Sequence, residues 1–286
     1  MDPPKPIPAI RLAVAVASDD APPSALVVWR GFQASIEKAR RLGYDGVELA
    51  LREAGEVDLA PLQRQLRDNG LSCPCISTGQ VFACLGLYFT AHDPAKRRQV
   101  VRVFQGLIDL AGPLGAMVNI GRARGFVEPG ELPRDARRRF LDVAGELCEY
   151  ARARSVRLLL EPVNRYEINF IHSLSEAAEL LAEAGRANLA LMPDVFHMNI
   201  EDRAIGGELE RFARHVAYVH LADSNRLAPG QGHLDFDEIF SALRRIGYNG
   251  WASVEILPKP DADTAARQAI EFLRPFLAGG NRETAG

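Results

Sequence analysis

Four residues of the types that bind divalent metals follow apolar, strand-like runs in the second half of the chain. They are Glu161 after LLL, Asp194 in LALMPD, His220 in AYVH and Glu255 in ASVE. Buried carboxylates that lie close together cannot all stay ionised without a compensating cation. Three oxygen donors and one imidazole suit Mn²⁺ first, with Mg²⁺ or Co²⁺ as alternatives, whereas structural Zn²⁺ prefers sulfur and nitrogen. The pattern therefore predicts one divalent ion at a site that these four side chains share.

Such a site supports proton transfer at a carbon next to a carbonyl. A metal that chelates the carbonyl and a neighbouring hydroxyl stabilises the enediolate that forms when this carbon loses its proton. Two carboxylates on opposite sides of the carbon then invert its configuration, because one removes the proton and the other returns one. A single carboxylate that serves two adjacent carbons gives aldose–ketose isomerisation instead. The sequence leaves both outcomes open, since they differ by about an ångström in substrate position.

The four candidate ligands need a fold in which strand ends converge, and the pattern of the chain predicts one. Apolar runs of strand length alternate with segments of helical period such as FQASIEKARRLG and SLSEAAELLAEAG, which end on glycine. Near-continuous apolar strands indicate a parallel sheet covered by helices. The predicted strands are residues 11–17, 45–51, 72–78, 116–121, 156–162, 189–195, 216–222 and 251–257.

Eight strand–helix units in 286 residues predict an α/β fold, a (β/α)₈ TIM barrel formed by a single domain over residues 1–286. The carboxyl ends of its strands form one mouth, where Glu161, Asp194, His220 and Glu255 would meet. An open doubly wound sheet is the alternative, but the segment VAVASDDAPPSA after the first strand has no glycine-rich phosphate loop. A short proline-rich leader (MDPPKPIP) and a frayed tail (GGNRETAG) are expected at the two ends.

Composition excludes several classes of function. A net charge of −3 gives no reason to expect nucleic acid or an anionic membrane as a partner. The longest apolar runs are too short for a signal or membrane segment. The four cysteines, Cys73, Cys75, Cys84 and Cys148, are interpreted as reduced and buried, which favours a cytoplasmic location.

Several longer motifs resemble the xylose isomerase-like TIM-barrel sugar isomerases and epimerases, and within them the D-tagatose and D-psicose 3-epimerase group and related keto-sugar epimerases. The first half resembles the family in its strand–helix rhythm and in LGYDGVEL. The motifs that carry the resemblance are EPVNRYE (161–167), DVFHMNIED (194–202), HLADSNRLAPGQGHLDFDEIF (220–240), RRIGYNGW (244–251) and SVEILP (253–258).

The resemblance implies a metal-dependent enzyme of carbohydrate metabolism that epimerises a ketose or keto-sugar acid at carbon 3. It implies Glu161 and Glu255 as the acid/base pair, with Asp194 and His220 as further metal ligands. It also implies that Glu167, His197 and Arg226 hold the oxygens of the substrate. A homo-oligomer, dimer or tetramer, fits this reading.

Simpler interpretations compete for the three substrate contacts. Arg226 is alternatively a loop residue paired with Asp223, His197 alternatively orients Asp194, and Glu167 is alternatively a solvated loop residue. The long apolar segment 79–93 (GQVFACLGLYFTAHD), after the third strand, is interpreted as a lid or a subunit contact.

Other activities stay as alternatives. Hydroxypyruvate isomerase and inosose dehydratase share the proposed chemistry, although no residue identifies the acid that a dehydratase needs. An endonuclease IV-like phosphodiesterase is remote, because three metals need histidines where STGQ (77–80) and NIGRARG (119–125) have none. A non-catalytic sugar-binding barrel is expected to lack Glu161 or Glu255, and both are present.

Overall fold

The computed structural model describes residues 10–277, and the expected leader and frayed tail lie outside them. Strands and helices alternate along this part of the chain. The strands are β1 (Arg11–Ala17), β2 (Trp29–Arg30), β3 (Gly46–Ala50), β4 (Cys75–Ser77), β5 (Met117–Ile120), β6 (Leu158–Leu160), β7 (Leu189–Leu191), β8 (Tyr218–Leu221) and β9 (Trp251–Val254). The helices are α1 (Phe32–Leu42), α2 (Leu59–Asn69), α3 (Gly79–Leu85), α4 (Pro94–Leu114), α5 (Pro133–Arg152), α6 (Leu174–Ala184), α7 (Val195–Glu201), α8 (Ile205–Arg211), α9 (Phe236–Arg245) and α10 (Ala262–Leu277).

Eight parallel strands form a nearly closed barrel, which confirms the predicted TIM-barrel fold. Their order around the barrel is β7-β6-β5-β4-β3-β1-β9-β8. Isolated bridges Leu191–Val216 and Asp194–His220 join β7 to β8 at the remaining gap. The second bridge lies at the carboxyl end of the strands, so it connects two of the candidate metal ligands directly through the backbone.

A two-residue strand outside the barrel was not predicted. β2 pairs in parallel with the end of β1, where Val16 is opposite Trp29 and Ala17 is opposite Arg30. The prediction missed it because two residues carry no detectable alternation of polar and apolar side chains. Its effect is to fold the segment between β1 and α1 back towards the mouth of the barrel.

The helices begin and end where the sequence signals place them. Ser173 caps α6, because its hydroxyl accepts a hydrogen bond from the backbone N–H of Glu176 and its own backbone N–H donates to the Glu176 carboxylate. Gly43 and Gly185 end α1 and α6 in the left-handed conformation that glycine adopts without strain. These caps fix the lengths of the helices, and the lengths set where each following strand starts.

One of the four cysteines contradicts the prediction that all are buried. Cys73, Cys75 and Cys148 are buried free thiols, whereas Cys84 is an exposed free thiol. Helix α3 is buried at Gln80 and Val81, whereas Cys84 lies in its exposed last turn. In the sequence, the apolar residues around Cys84 do not reveal which part of this two-turn helix is buried.

The segment 79–93, which was interpreted as a lid or a subunit contact, forms part of the mouth of the barrel. It contains α3 and then an extended stretch to Asp93, which caps α4. Thr90 holds it to the loop after β5, because its hydroxyl donates to Phe126 O (2.8 Å) and accepts from Phe126 N (2.9 Å). Whether the segment moves as a lid stays a prediction.

None of the helices among the described residues has the length and apolar character needed to cross a membrane.

Gly125, in the same loop, provides a test of how tightly these two segments are joined. Its φ of 94° and ψ of −167° are almost exclusive to glycine, and a Cβ there would overlap the Thr90 hydroxyl and lie 3.0 Å from its backbone nitrogen. We expect Gly125→Ala to lower the free energy of unfolding by about 2–4 kcal/mol, as measured by urea denaturation.

Gly130 is the matched control, because it also has a positive φ (80°) but a Cβ there meets nothing within 4 Å. Gly130→Ala should cost only about 1 kcal/mol. Equal losses in the two variants would show that the contact with Thr90 contributes nothing.

Candidate metal centre

The four residues predicted from strand ends converge at the carboxyl end of the barrel. One ligand atom from each of Glu161, Asp194, His220 and Glu255 lies within 4.8 Å of the others. Glu161 and Glu255 directly follow β6 and β9, His220 lies within β8, and Asp194 caps α7 after β7. One ion can bridge such separations, since metal–oxygen distances are about 2.1 Å.

Glu161 is held by both its side chain and its backbone. Its Oε2 accepts a hydrogen bond from Asn119 Nδ2 (2.8 Å), and its Oε1 lies 3.1 Å from His220 Nδ1. Its carbonyl accepts from Arg124 Nη1 (3.0 Å). Arg124 is fully buried and also donates to the carbonyls of Gly121, Phe170 and Ile171. The arginine therefore ties the strand end at Glu161 to the loop that follows it.

Asp194 has one oxygen in use and one free. Its Oδ1 caps α7 by accepting from Phe196 N (2.8 Å). Its Oδ2 is buried and has no hydrogen-bond partner among the described residues. Arg226 Nη2 at 3.5 Å and His197 Nε2 at 3.6 Å are the nearby positive or polar groups. A buried carboxylate oxygen without a donor is costly, so its position favours a cation that is bound there.

His220 is oriented by a carboxylate that sequence reasoning did not single out. Its Nε2 contacts Glu48 Oε1 (3.0 Å) and Oε2 (3.1 Å), and Glu48 is fully buried in β3. Its Nδ1 faces Glu161 Oε1 at 3.1 Å and Glu255 Oε2 at 3.7 Å. If Nε2 carries the proton that Glu48 accepts, the lone pair of Nδ1 points into the cluster. This arrangement of carboxylate, histidine and ligand cluster is typical of metal sites.

Glu255 is paired with Arg226, which lies on the opposite side from His220. Arg226 Nη2 donates to Glu255 Oε2 over 2.6 Å, and its guanidinium lies 4.5 Å from the centre of the Phe196 ring. The predicted alternative, a pair with Asp223, does not form, since the Asp223 carboxylate accepts from the backbone of its own loop. Arg226 has a φ of 61°, a left-handed conformation that points its side chain back over the mouth.

His197 and Glu167 complete the set of predicted contacts next to Arg226. His197 Nε2 lies 3.1 Å from Arg226 Nη1, and its Nδ1 lies 2.8 Å from Asn164 Nδ2. Glu167 Oε1 accepts from Asn164 Nδ2 (3.1 Å) and lies 3.6 Å from Arg226 Nη1. Asn164 thus joins the two residues, so the structure brings all seven predicted site residues together.

The pKa values show that the ion-free cluster carries more negative charge than it can hold. Burial raises the pKa of Glu255 to about 8, and the charges of Glu161 and Asp194 act in the same direction. Burial likewise raises the pKa of Asp194. Burial also acts to raise the pKa of Glu161, but the hydrogen bond and charge of His220 and the charge of His197 outweigh it and lower that pKa to about 2.

The two histidines shift in opposite directions. Burial acts to lower the pKa of His220, but Glu48, Glu255 and Glu161 hold it well above its usual value. Burial and the charge of Arg226 lower the pKa of His197 well below the usual range, so its imidazole is neutral. A divalent ion would compete with protons for these carboxylates and for His220.

A cavity of about 200 Å³ opens above the cluster. Glu161 and Glu255 line it together with Glu167, His197 and Arg226, whereas Asp194 and His220 lie behind them and are not part of its wall. Apart from Val163, the remaining wall comes from the first half of the chain and consists mainly of small or polar residues. These include Ser24, Ala50, Ser77, Gln80, Asn119 and Arg122.

The donor set fits a divalent metal ion. Three carboxylates and one imidazole nitrogen offer mainly oxygen ligands, and Asp194 Oδ2 is a buried acceptor without a donor.

The residues that sequence reasoning missed are those that support the ligands, Glu48, Asn119, Asn164 and Arg124. A signal existed for Glu48, because a charge within the apolar run DGVELAL is as unexpected as Glu161 after LLL.

Comparisons with known proteins agree with the fold. Residues 36–276 match the family model described as xylose isomerase-like TIM barrel. A ketose 3-epimerase of Arthrobacter globiformis is 30% identical over 77% of this chain and 75% of its own. An L-ribulose 3-epimerase of Methylomonas sp. (strain DH-1) is 29% identical over 85% of this chain and 91% of its own. The crystal structure of a Methylomonas D-allulose 3-epimerase in complex with D-allulose superimposes with a TM-score of 0.79, at 25% identity over 94% of this chain and 97% of that one.

Metal binding is expected to stabilise the protein measurably. We expect isothermal titration calorimetry to give one Mn²⁺ per chain, and Mn²⁺ at about 100 times its Kd to add about 2.7 kcal/mol of stability. For a chain of this size that corresponds to a rise of about 5–10 °C in the unfolding midpoint.

Asp194→Asn should weaken this effect, because it removes the charge of the carboxylate whose Oδ2 is free. Asp202→Asn is the control, since Asp202 is also a carboxylate with a buried, unpartnered oxygen but lies outside the cluster. Loss of Mn²⁺ binding in both variants, or in neither, would contradict the proposed ligand set.

The contact between Glu48 and His220 generates a second prediction. Glu48→Ala should lower Mn²⁺ affinity about 100-fold because His220 loses the acceptor that orients it, and Glu48→Gln about 10-fold because an acceptor remains without its charge. Titration calorimetry measures both. Glu37→Gln, which removes an exposed charge on α1, should leave the affinity unchanged. A Glu48→Ala affinity equal to that of the unmodified protein would exclude a role for Glu48 in positioning the ligand.

Proposed function

The chain belongs to the xylose isomerase-like TIM barrel family, and we propose that it is a divalent-metal-dependent epimerase that acts at carbon 3 of a ketose or keto-sugar acid. The reaction proceeds through an enediolate, with Glu161 and Glu255 as the acid/base pair. Similarity to a ketose 3-epimerase and an L-ribulose 3-epimerase supports the reaction type.

Glu161, Asp194, His220 and Glu255 would hold the metal, with Mn²⁺ preferred and Mg²⁺ or Co²⁺ as alternatives. When bound, the ion supplies a positive charge beside the carbonyl and hydroxyl oxygens of the substrate, where negative charge develops. Asn119 and Glu48 keep the ligands in place through Glu161 and His220.

The observation that carries the proposal is the different placement of the two glutamates within the cluster. Glu161 and Glu255 reach the wall of the cavity, whereas Asp194 and His220 lie behind it. They extend from different strands, β6 and β9, which are not neighbours in the barrel. Two carboxylates that face one small cavity from separate strands are placed to remove a proton from one side of a carbon and return one from the other.

Arg226, His197 and Glu167 would hold the substrate next to the two glutamates. Arg226 lines the cavity, and its Nε is a buried donor without a partner among the described residues. A sugar oxygen would satisfy this donor. His197, held neutral between Arg226 and Asn164, and Glu167, paired with both, keep the guanidinium in position.

The size of the cavity favours a small substrate. Its volume of about 200 Å³ lies below the about 300–1,000 Å³ typical of pockets for drug-sized ligands. A monosaccharide suits it better than a nucleic acid or a longer saccharide.

We place the protein in the cytoplasm, since the exposed Cys84 and the other free thiols suit a reducing compartment. A homo-oligomer stays a prediction.

Exchange with solvent deuterium tests the reaction. The Mn²⁺-loaded protein is incubated with D-psicose, D-tagatose or L-ribulose in D₂O, and the products are followed by NMR. We expect deuterium at carbon 3 of the recovered epimer. Deuterium at carbon 2 of an aldose, or at carbon 1 of the recovered ketose, would indicate an isomerase, and loss of water a dehydratase. Absence of exchange with every keto-sugar would favour a binding barrel without catalysis.

The acid/base pair has a sharper test in Glu161→Gln and Glu255→Gln. Each variant should lose about 10²–10⁴-fold in kcat for epimerisation, because one of the two proton transfers has no base or acid. Each should still exchange the carbon 3 proton in one epimer, and the two variants should act on opposite epimers. Mn²⁺ stoichiometry of one, measured by calorimetry, controls for loss of the ion. Near-normal turnover in either variant would remove that glutamate from the pair.

A further inference from the structure

Arg122 places an unpaired guanidinium group in the wall of the cavity. It lies in the short turn Arg122–Arg124 directly after β5, and its side chain is partly buried. With the residues between 10 and 277 its guanidinium forms neither a hydrogen bond nor an ion pair. The group contacts Phe82, whose ring centre lies 5.8 Å from Arg122 Cζ. A contact with a ring face restrains the guanidinium but leaves its N–H donors free.

The other two arginines of the site are fully engaged, which distinguishes Arg122 from them. Arg124 donates to four backbone carbonyls and serves the structure of the loop. Arg226 pairs with Glu255 and contacts His197. Neither of these roles is open to Arg122, because its side chain extends along the cavity towards α3. Its free donors are therefore available to a ligand.

The position of Arg122 relative to the cluster restricts what that ligand can be. The preceding residue, Gly121, lies against Glu161, since a Cβ at Gly121 would approach Glu161 Oε2 to 2.8 Å. Arg122 thus lines the same small cavity as the two glutamates, and it directly follows the residue that contacts Glu161. A substrate that has its reacting carbon at Glu161 and Glu255 would present another part to Arg122.

The same part of the wall offers an acceptor for a sugar hydroxyl. Gln80 lines the cavity, and its Nε2 donates to Ala50 O (2.9 Å) while its Oε1 has no partner among the described residues. One free acceptor and one free cationic fork are complementary to a hydroxyl and an anionic group on one small molecule.

We propose that Arg122 binds a carboxylate at the end of the sugar that lies away from the metal cluster, so that the substrate is a keto-sugar acid. This inference rests on the proposed function and specifies its substrate class. A planar guanidinium matches a carboxylate through two parallel hydrogen bonds. A phosphate fits less well, because its second negative charge needs a second cation. The other arginine of the cavity wall, Arg226, is already paired with Glu255.

Two pairs of substrates that differ only at carbon 6 test the proposal, D-fructose with D-fructuronate and D-tagatose with D-tagaturonate. Epimerisation by the Mn²⁺-loaded protein is followed by NMR in D₂O, and binding by titration calorimetry. For at least one pair we expect kcat/KM for the acid to exceed that for the neutral sugar about 30-fold, mainly through a lower KM. Arg122→Leu should reduce this ratio about 10–100-fold, and Arg122→Lys should reduce it less because the charge remains.

The outcomes separate this inference from the proposed function. Epimerisation of neutral and acidic sugars with equal kcat/KM, or an equal loss for both in Arg122→Leu, would support the epimerase and overturn the carboxylate site. Tighter binding of D-fructose 6-phosphate than of D-fructuronate would overturn it as well. Binding of the acids that depends on Arg122, without any exchange at carbon 3, would support the carboxylate site and overturn the epimerase. Thermal unfolding of each variant shows that the fold is retained.

Discussion

The concentration of negative charge at the buried ends of β6, β7 and β9 is the constraint on which the site depends. Glu161, Asp194 and Glu255 approach one another within 4.8 Å, and at that distance in a poorly solvated site their mutual repulsion is large. The protein offsets part of it, through His220 beside Glu161 and Arg226 beside Glu255. Asp194 Oδ2 lies 3.5 Å from Arg226 Nη2 but has no hydrogen-bond donor among the described residues. The residual charge makes a divalent cation the simplest means of stabilising the arrangement, and it explains why the pKa values of Glu161 and Glu255 move apart.

Repulsion alone would drive the ligands away from each other, so the surrounding residues have to hold them. Asn119 fixes one oxygen of Glu161, and Glu48 fixes the outer nitrogen of His220. Asp194 is held by the start of α7, since capping that helix immobilises its Oδ1. Each restraint comes from a strand or a helix end within the barrel and not from a mobile loop. The site is thereby preorganised, and the energy needed to assemble the ligands is provided during folding.

The sequence predicted the barrel and the ligand set for the same physical reason, because burial makes a strand apolar and any charge at its end conspicuous. Glu161, Asp194, His220 and Glu255 were found in this way. Asn119 and Asn164 were not, since a neutral amide at a strand end or in a loop has many common roles. Arg124 was missed because its partners are backbone carbonyls, which no side-chain pattern reveals. The exposure of Cys84 and the strand β2 depend on how short segments pack, and two or three residues carry too little periodicity to predict that.

The two halves of the chain contribute different parts of the candidate site. The cluster and the residues beside it, from Glu161 to Glu255, lie in the second half, where the motifs EPVNRYE and SVEILP resemble those of the sugar epimerases. The opposite wall of the cavity, including Ser24, Gln80 and Arg122, comes from the first half, where the motifs that resemble the family are the rhythm of strands and helices and LGYDGVEL. A loop can change at the end of a barrel strand without moving the strands that hold the metal ligands. On the proposed function, substitution along this wall would alter which sugar is accepted and leave the proton transfer unchanged, and Arg122 is the residue of that wall whose charge has no partner within the described chain.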